Sequence, residues 1–166
     1  MTSIDRGLFL DPVQDERPDE TPEPLLSDNP RQELRVGGAI AGAQQVLEHT
    51  VAFTKEREAF GKPISKFQNT RFKLAEMKTE ITIGQTFVDS LVLKANDGTL
   101  APDEACMAKY WTTDLLNKVC YEGLQLHGGA GYMNEYPIAR AWRGARVTRI
   151  FGGTNEIMKE LIGRSL

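Results

Sequence analysis

Three short stretches of the chain carry the residue types from which a ligand site is built. Residues 57–68 read Arg-Glu-Ala-Phe-Gly-Lys-Pro-Ile-Ser-Lys-Phe-Gln. Arg57 offers a planar fork of donors that matches a phosphate pair. Phe60 adds a ring that can lie against a flat heterocycle, and Gly61 with Pro63 breaks any helix that leads into them. Such a corner could hold a dinucleotide by its pyrophosphate, or be an ordinary helix-helix turn. Residues 125–131, Gln-Leu-His-Gly-Gly-Ala-Gly, set the amide of Gln125 before glycines whose backbone N–H groups a ligand can approach; helix C-termini also use glycine for their own geometry. These glycines do not spell G-x-G-x-x-G and no strand precedes them, so they are not a Rossmann fingerprint. Residues 150–156, Ile-Phe-Gly-Gly-Thr-Asn-Glu, put Thr154 and the N–H groups of Asn155 and Glu156 at a helix start. That position suits an anion, and capping alone explains it equally well.

The elements that must position these stretches are all helical. Asn29-Pro30-Arg31-Gln32 is a helix start, with Asn as cap, Pro at the first helical position and Gln three residues after the cap. Val36, Ile40, Ala43, Leu47 and Val51 then form an apolar stripe, and the helix is expected to run to about Glu58. The small residues from Gly37 to Ala43 permit close approach of another backbone or a flat ligand, at some cost in helix propensity. A second helix is expected from Ser65 or Phe67 to Asn96. Its residues Phe67, Thr70, Leu74, Met77, Ile81, Gly84, Val88, Leu91 and Ala95 alternate steps of three and four, the seam of a helix packed lengthwise in a bundle. Asp97-Gly98 ends it. Pro102 opens a third helix carrying Ala105, Ala108, Leu115, Val119 and Leu126, Pro137 a fourth with Ala139, Trp142 and Ala145, and Thr154 or Asn155 a last one to about Arg164. No strand-like alternation of useful length appears. The expected fold is all-α: an antiparallel four-helix bundle with short C-terminal helices.

Bulk properties narrow the function. The 166 residues are enough for one domain with a real core, and 40% apolar with 26% charged is ordinary for a globular protein. The net charge of −3 conceals an asymmetry, since residues 1–30 carry eight acids and two arginines while residues 31–166 carry 18 basic and 15 acidic residues. Residues 1–30 also hold five of the eight prolines and read as an acidic flexible arm, with 31–166 as the folded domain. Phe9, Leu10, Leu25 and Leu26 could dock on a partner; they equally suit a solvated tail. The net +3 of the body is too weak for a nucleic-acid footprint and no basic stripe appears, but it suits a phosphate-rich small ligand. No signal peptide or membrane-length apolar run is present. Cys106 and Cys120 lie on one helix, about 21 Å apart, beyond disulfide reach. They read as reduced core thiols and place the protein in the cytoplasm, without a metal site. His49 and His127 lack partners at ligand spacing. Trp111, Trp142, Tyr110 and Tyr132 read as core or interface residues.

Taken together, Arg57-x-Ala59-Phe60-Gly61 with Gln68, then Gln125-x-x-Gly128-Gly129-x-Gly131-Tyr132, then Gly153-Thr154-Asn155-Glu156-Ile157, at these separations, resemble the C-terminal domain of the acyl-CoA dehydrogenase family. Tyr136-Pro137-Ile138 and the closing 158–164 segment extend the resemblance, which covers residues from about 35 to 166. It implies a flavin enzyme in a helical oligomer, with FAD held across a subunit boundary. Arg57 would contact the FAD pyrophosphate, Phe60 would lie against the flavin and Gln68 would hydrogen-bond nearby. Gln125, Gly128 and Gly129 would cradle the adenosine end of a neighbouring subunit's FAD. Thr154 and Glu156 would complete the flavin site.

The chain departs from the family's pattern in two respects. Family members abstract an α-proton from an acyl-CoA thioester with a glutamate while hydride leaves the β-carbon. In one branch that base directly precedes the Gly-Thr of the third stretch, where this chain has Gly152, which has no side chain and cannot be a base. In the other branch the base lies early in the first helix. Counting back from Arg57 without gaps reaches Arg31; a two-residue shift, about 200° of helix rotation, reaches Glu33. Glu33 is the candidate base, and a solvent-facing glutamate in the first turn is the competing reading. The second departure is that the N-terminal helical and middle β-domains of the family are not recognisable. The chain alone is therefore expected to be inactive, needing those domains from elsewhere, with acyl-CoA as substrate and a homo- or hetero-oligomer as the working form. The alternative is a non-catalytic oligomerisation or partner-binding module.

Overall fold

A computed structural model of the chain describes residues 30–166, with their side chains from Gly37 onward. The acidic arm, the Asn29 cap and the side chains of Glu33 and Val36 lie outside the described residues. Five α-helices carry the fold: α1 (Pro30–Glu56), α2 (Gln68–Asn96), α3 (Pro102–His127), α4 (Pro137–Thr148) and α5 (Asn155–Arg164). The all-α bundle expected from the sequence is the architecture observed.

The helices form where apolar residues recur at three- and four-residue steps, and they pack along those stripes. On α1, Ile40, Ala43, Val46 and Leu47 are buried. On α2 the buried residues are Thr70, Met77, Ile81, Gly84, Val88 and Leu91, six of the seam positions read from the sequence. From α3 come Ala108, Leu115, Leu116 and Val119. Each large apolar side chain so buried contributes about 1.5–3 kcal/mol. Gly84 is small because the core requires it: a Cβ there would lie 2.7 Å from Ile40 Cδ1 and 2.8 Å from the Trp111 ring. Its absence lets α1 and α3 side chains meet over α2.

Direction follows from the contacts. A Cβ on Gly42 would touch Leu116, one on Gly123 would touch Thr50, and Phe53 stacks on His127. Rising numbers meet rising numbers, so α1 and α3 run parallel, with α2 reversed between them through Lys94–Glu104, Lys118–Glu80 and Lys73–Glu122 ion pairs. Helix α4 runs back along α3, since Asn117 donates to the Ala145 carbonyl at 2.8 Å and Arg149 pairs with Asp114.

Helix starts agree with the proline signals. Pro102 and Pro137 occupy first positions of α3 and α4, and the Glu104 carboxylate accepts from the Ala101 N–H at 3.2 Å. One expectation needs correction. Helix α1 ends at Glu56, because Glu58–Ala59 (β1) and Lys62–Pro63 (β2) pair as a minimal antiparallel hairpin, with Glu58 opposite Pro63 and Ala59 opposite Lys62. Two-residue strands are too short to leave an alternation in the sequence.

Candidate functional site

The hairpin is the most unusual piece of backbone among the described residues. Its two turn residues, Phe60 at φ 52° and Gly61 at φ 78°, both sit in the left-handed region, as a tight type I′ connection demands. Gly61 adopts this without penalty. Phe60 does so at about 1–2 kcal/mol and is 96% exposed, so burial does not offset the strain. A bulky residue held in that region is a feature from which a functional role is inferred. Its ring meets Phe67 edge-on at 6.3 Å, and the Lys62 ammonium lies 4.4 Å from the Phe67 centroid. Arg57 starts the hairpin: its N–H donates to the Phe53 carbonyl at 2.8 Å and its carbonyl accepts from Ile64 at 2.8 Å. Its side chain is exposed and makes no ion pair among the described residues. Gln68 is exposed at the first position of α2.

The second stretch caps α3. Gln125 is exposed in its last turn, and Gly128–Tyr132 follows as a 3-10 segment beginning with Gly128 at φ 58°. A Cβ at Gly128 or Gly129 would meet no atom within 4 Å, so this backbone is open to an approaching molecule. His127, by contrast, is committed to structure. It stacks on Phe53, its Nδ1–H donates to the Gly123 carbonyl at 2.7 Å, and burial pushes its pKa below the ordinary imidazole value.

At the third stretch, Thr154 caps α5 and its hydroxyl oxygen accepts from the Ile157 N–H at 3.3 Å. The Asn155 N–H is spent on the Arg149 carbonyl at 3.0 Å. The Glu156 carboxylate is held below the usual carboxylate range, first by its own backbone N–H and then by the Thr154 hydroxyl. The backbone donors of Asn155 and Ile157 at the α5 N-terminus thus have partners within the chain. Gly152 is exposed at φ 66° and Gly153 follows at φ 87°.

The structure brings two of the three stretches together. The Phe53–His127 stack sets the ends of α1 and α3 side by side, so Arg57, Phe60, Gln68, Gln125, Gly128 and Gly129 share one end of the bundle. Thr154 and Glu156 do not join them. The Lys109 ammonium donates to the Gly153 carbonyl at 2.6 Å, and Lys109 precedes Gln125 on α3 by about 24 Å of helix. The third stretch thus lies toward the opposite end, in the direction of the α1 N-terminus, where the backbone of Glu33 is. A single copy cannot close one cleft from all three.

Sequence reasoning missed Lys109 and the buried role of the Asn155 side chain, the partners that hold the third stretch. A signal was present: Cys106, Lys109, Thr113, Leu116 and Cys120 follow steps of three and four, which puts a lysine on the core stripe of α3. Trp142 and Tyr132 stand exposed at 42% and 77%, so neither is a core residue. Both cysteines are buried, and burial raises the Cys120 thiol to about 12. Among the described residues no three metal-ligating side chains gather, and no helix is long and apolar enough to cross a membrane.

The residues at the hairpin end fit a flat dinucleotide with two phosphates: a cation without an ion pair among the described residues, an outward aromatic ring, exposed amides and unobstructed glycine backbone. A family model described as "Acyl-CoA dehydrogenase, C-terminal domain" matches residues 33–166. The chain is 47% identical over 143 residues to the mitochondrial long-chain specific acyl-CoA dehydrogenase of Mus musculus, covering 86% of this chain and 33% of that protein. It is 38% identical over 128 residues to the short-chain specific acyl-CoA dehydrogenase of Megasphaera elsdenii, covering 77% of this chain and 33% of that one. Among solved structures, an acyl-CoA dehydrogenase from Geobacillus kaustophilus superposes with a TM-score of 0.79 at 43% identity, covering 81% of this chain and 36% of that chain. The chain spans about a third of the length of the curated relatives it matches. The family is FAD-dependent. With the matched stretch exceeding half of its residues, the chain belongs to the acyl-CoA dehydrogenase family, and residues 33–166 are its C-terminal helical domain.

Proposed function

We propose that residues 31–166 hold FAD between two copies of the chain, as the flavin-binding part of an acyl-CoA dehydrogenase. The observation that carries this reading is the outward hairpin, where Arg57 makes no ion pair among the described residues and the left-handed Phe60, meeting only the edge of Phe67 among the described rings, stands 96% exposed. Arg57 grips the pyrophosphate with its guanidinium fork. Phe60 covers the flavin face, Gln68 hydrogen-bonds beside it, and Gln125 with the Gly128 and Gly129 backbone cradles the adenosine end. Thr154 and Glu156 come from the second copy, because in the first they sit toward the far end of α3. Each pair of copies therefore closes two equivalent sites, as two-fold symmetry requires.

When bound, FAD supplies the acceptor for hydride from the β-carbon of an acyl-CoA thioester. The chain's own part in that chemistry is to bind and orient the cofactor, and to take the α-proton on the Glu33 carboxylate. Gly152 offers no base, so proton transfer rests on Glu33 alone. The relatives that carry the activity are about two and a half times as long as this chain. For these 166 residues alone we therefore propose flavin binding without turnover, with acyl-CoA oxidation requiring the remaining domains, from the same protein or another chain. The buried reduced thiols suit a reducing compartment such as the cytoplasm.

A second reading, a non-catalytic oligomerisation module, is favoured by Gly152 standing where one branch of the family has its base. Titrating purified protein with FAD while following solution mass separates the two. Flavin binding that rises with oligomer formation supports the first; an oligomer that ignores FAD supports the second.

A further inference from the structure

A buried cation ties the third stretch to α3. Lys109 is 6% exposed, and its ammonium donates to the Gly153 carbonyl at 2.6 Å and to Asn155 Oδ1 at 2.8 Å. Asn155, fully buried, turns its amide N–H groups to Asp114 Oδ1 at 2.9 Å and Thr113 Oγ1 at 3.0 Å. Asp114 pairs with Arg149 at 2.6 Å, and the Arg149 carbonyl accepts the Asn155 N–H. The loop between α4 and α5 is thereby closed by hydrogen bonds and one ion pair anchored on one face of α3.

Burying an ammonium costs several kcal/mol unless its protons are matched, and a well-packed apolar side chain on the same stripe serves folding as well or better. What the ammonium supplies is a fixed place for one peptide group. Gly152 and Gly153 are both left-handed and have no side chains with which to pack, so this backbone has few other means of holding its path into Thr154. We propose that Lys109 is a positioning residue: by holding the Gly153 carbonyl and Asn155 it sets the Thr154 hydroxyl and the Glu156 carboxylate in ligand-ready geometry, without touching the ligand. The ligand half of this proposal rests on the assignment of Thr154 and Glu156 to the FAD site; the loop half does not.

The test uses the full chain with Lys109→Met, Lys109→Arg and, as a matched control on the same helix, Lys118→Met. Amide hydrogen exchange and FAD titration are read for each. Lys109→Met should stay helical, accelerate exchange at residues 152–157 about tenfold or more with α1–α3 unchanged, and weaken FAD about tenfold. Lys109→Arg should restore part of both, and Lys118→Met should alter neither. Unchanged exchange at 152–157, or acceleration spread evenly over the bundle, overturns the proposal. So does weakened FAD with an unchanged loop, which would mean direct contact. Should Lys109→Met fail to fold, the wild-type chain decides: the Lys109 ammonium should give a water-protected 15N signal, and a freely exchanging one refutes the anchor. Should the wild type ignore FAD, the flavin reading fails while the exchange result still judges Lys109.

Discussion

The Phe53 ring stacks on the His127 imidazole with centroids 4.1 Å apart and planes 22° from parallel. This pair joins the last turns of α1 and α3, and so sets the hairpin with Arg57 and Phe60 beside the Gln125–Gly129 end. Tyr136 closes the group edge-on, 6.1 Å from Phe53.

Its depressed pKa gives His127 a pH signature. Burial lowers the pKa, the bond to the Gly123 carbonyl partly offsets this, and His49 lowers it further. The folded state therefore binds fewer protons than the unfolded state once pH falls below about 6.5. Stability contributed by the neutral ring is full above that value and is lost on acidification through the folded pKa. Denaturant midpoints should fall between about pH 6.5 and 5, and His127→Gln should flatten that slope. His49→Gln should preserve a slope, since the burial of His127 remains.

Arg57→Ala removes a charged fork from an exposed site that makes no ion pair among the described residues. FAD affinity should drop roughly ten- to a hundredfold, the value of one or two charge-assisted hydrogen bonds. The far-UV circular dichroism should be unchanged. Equal affinity in the variant would leave Arg57 as a helix-end residue.

Phe60→Gly separates stability from binding. Relief of the left-handed strain should stabilise the fold by about 0.5–1 kcal/mol after the added unfolded-state entropy, because the exposed ring loses no burial. FAD should bind more weakly in the same variant. A loss of both stability and affinity would show that the ring packs within its own chain.

Gly129→Val adds a side chain into open space. Thermal unfolding should shift little, by an amount within about 0.5 kcal/mol, while FAD affinity falls because the backbone can no longer be approached. Unchanged affinity would remove Gly129 from the site.

Much of this molecule can be read from its residues, for identifiable reasons. Steps of three and four from Thr70 to Leu91 mark a buried seam because only one helical face reaches the core. Pro102 and Pro137 mark helix starts because a missing N–H costs nothing there. The hairpin at Glu58–Ala59 and Lys62–Pro63 is hidden: its strands are too short for a period, and its turn puts Phe60 where Asn or Gly is the usual signal. Lys109 was legible only as an anomaly, a cation on an apolar stripe. Separation of the third stretch follows from helix reversals, since α4 runs back along α3 before α5 begins. Motif spacing alone does not reveal this, because it counts residues and not directions.

We propose that one FAD is shared by two copies of the chain. It is tested most directly by mixing Arg57→Ala chains with Thr154→Val chains, each weakened on its own, and titrating the re-equilibrated mixture with FAD. A shared site predicts that roughly a quarter of the sites in an equal random mixture regain full affinity, since those draw an intact residue from each partner. A mixture that binds no better than the two variants measured apart would contradict it.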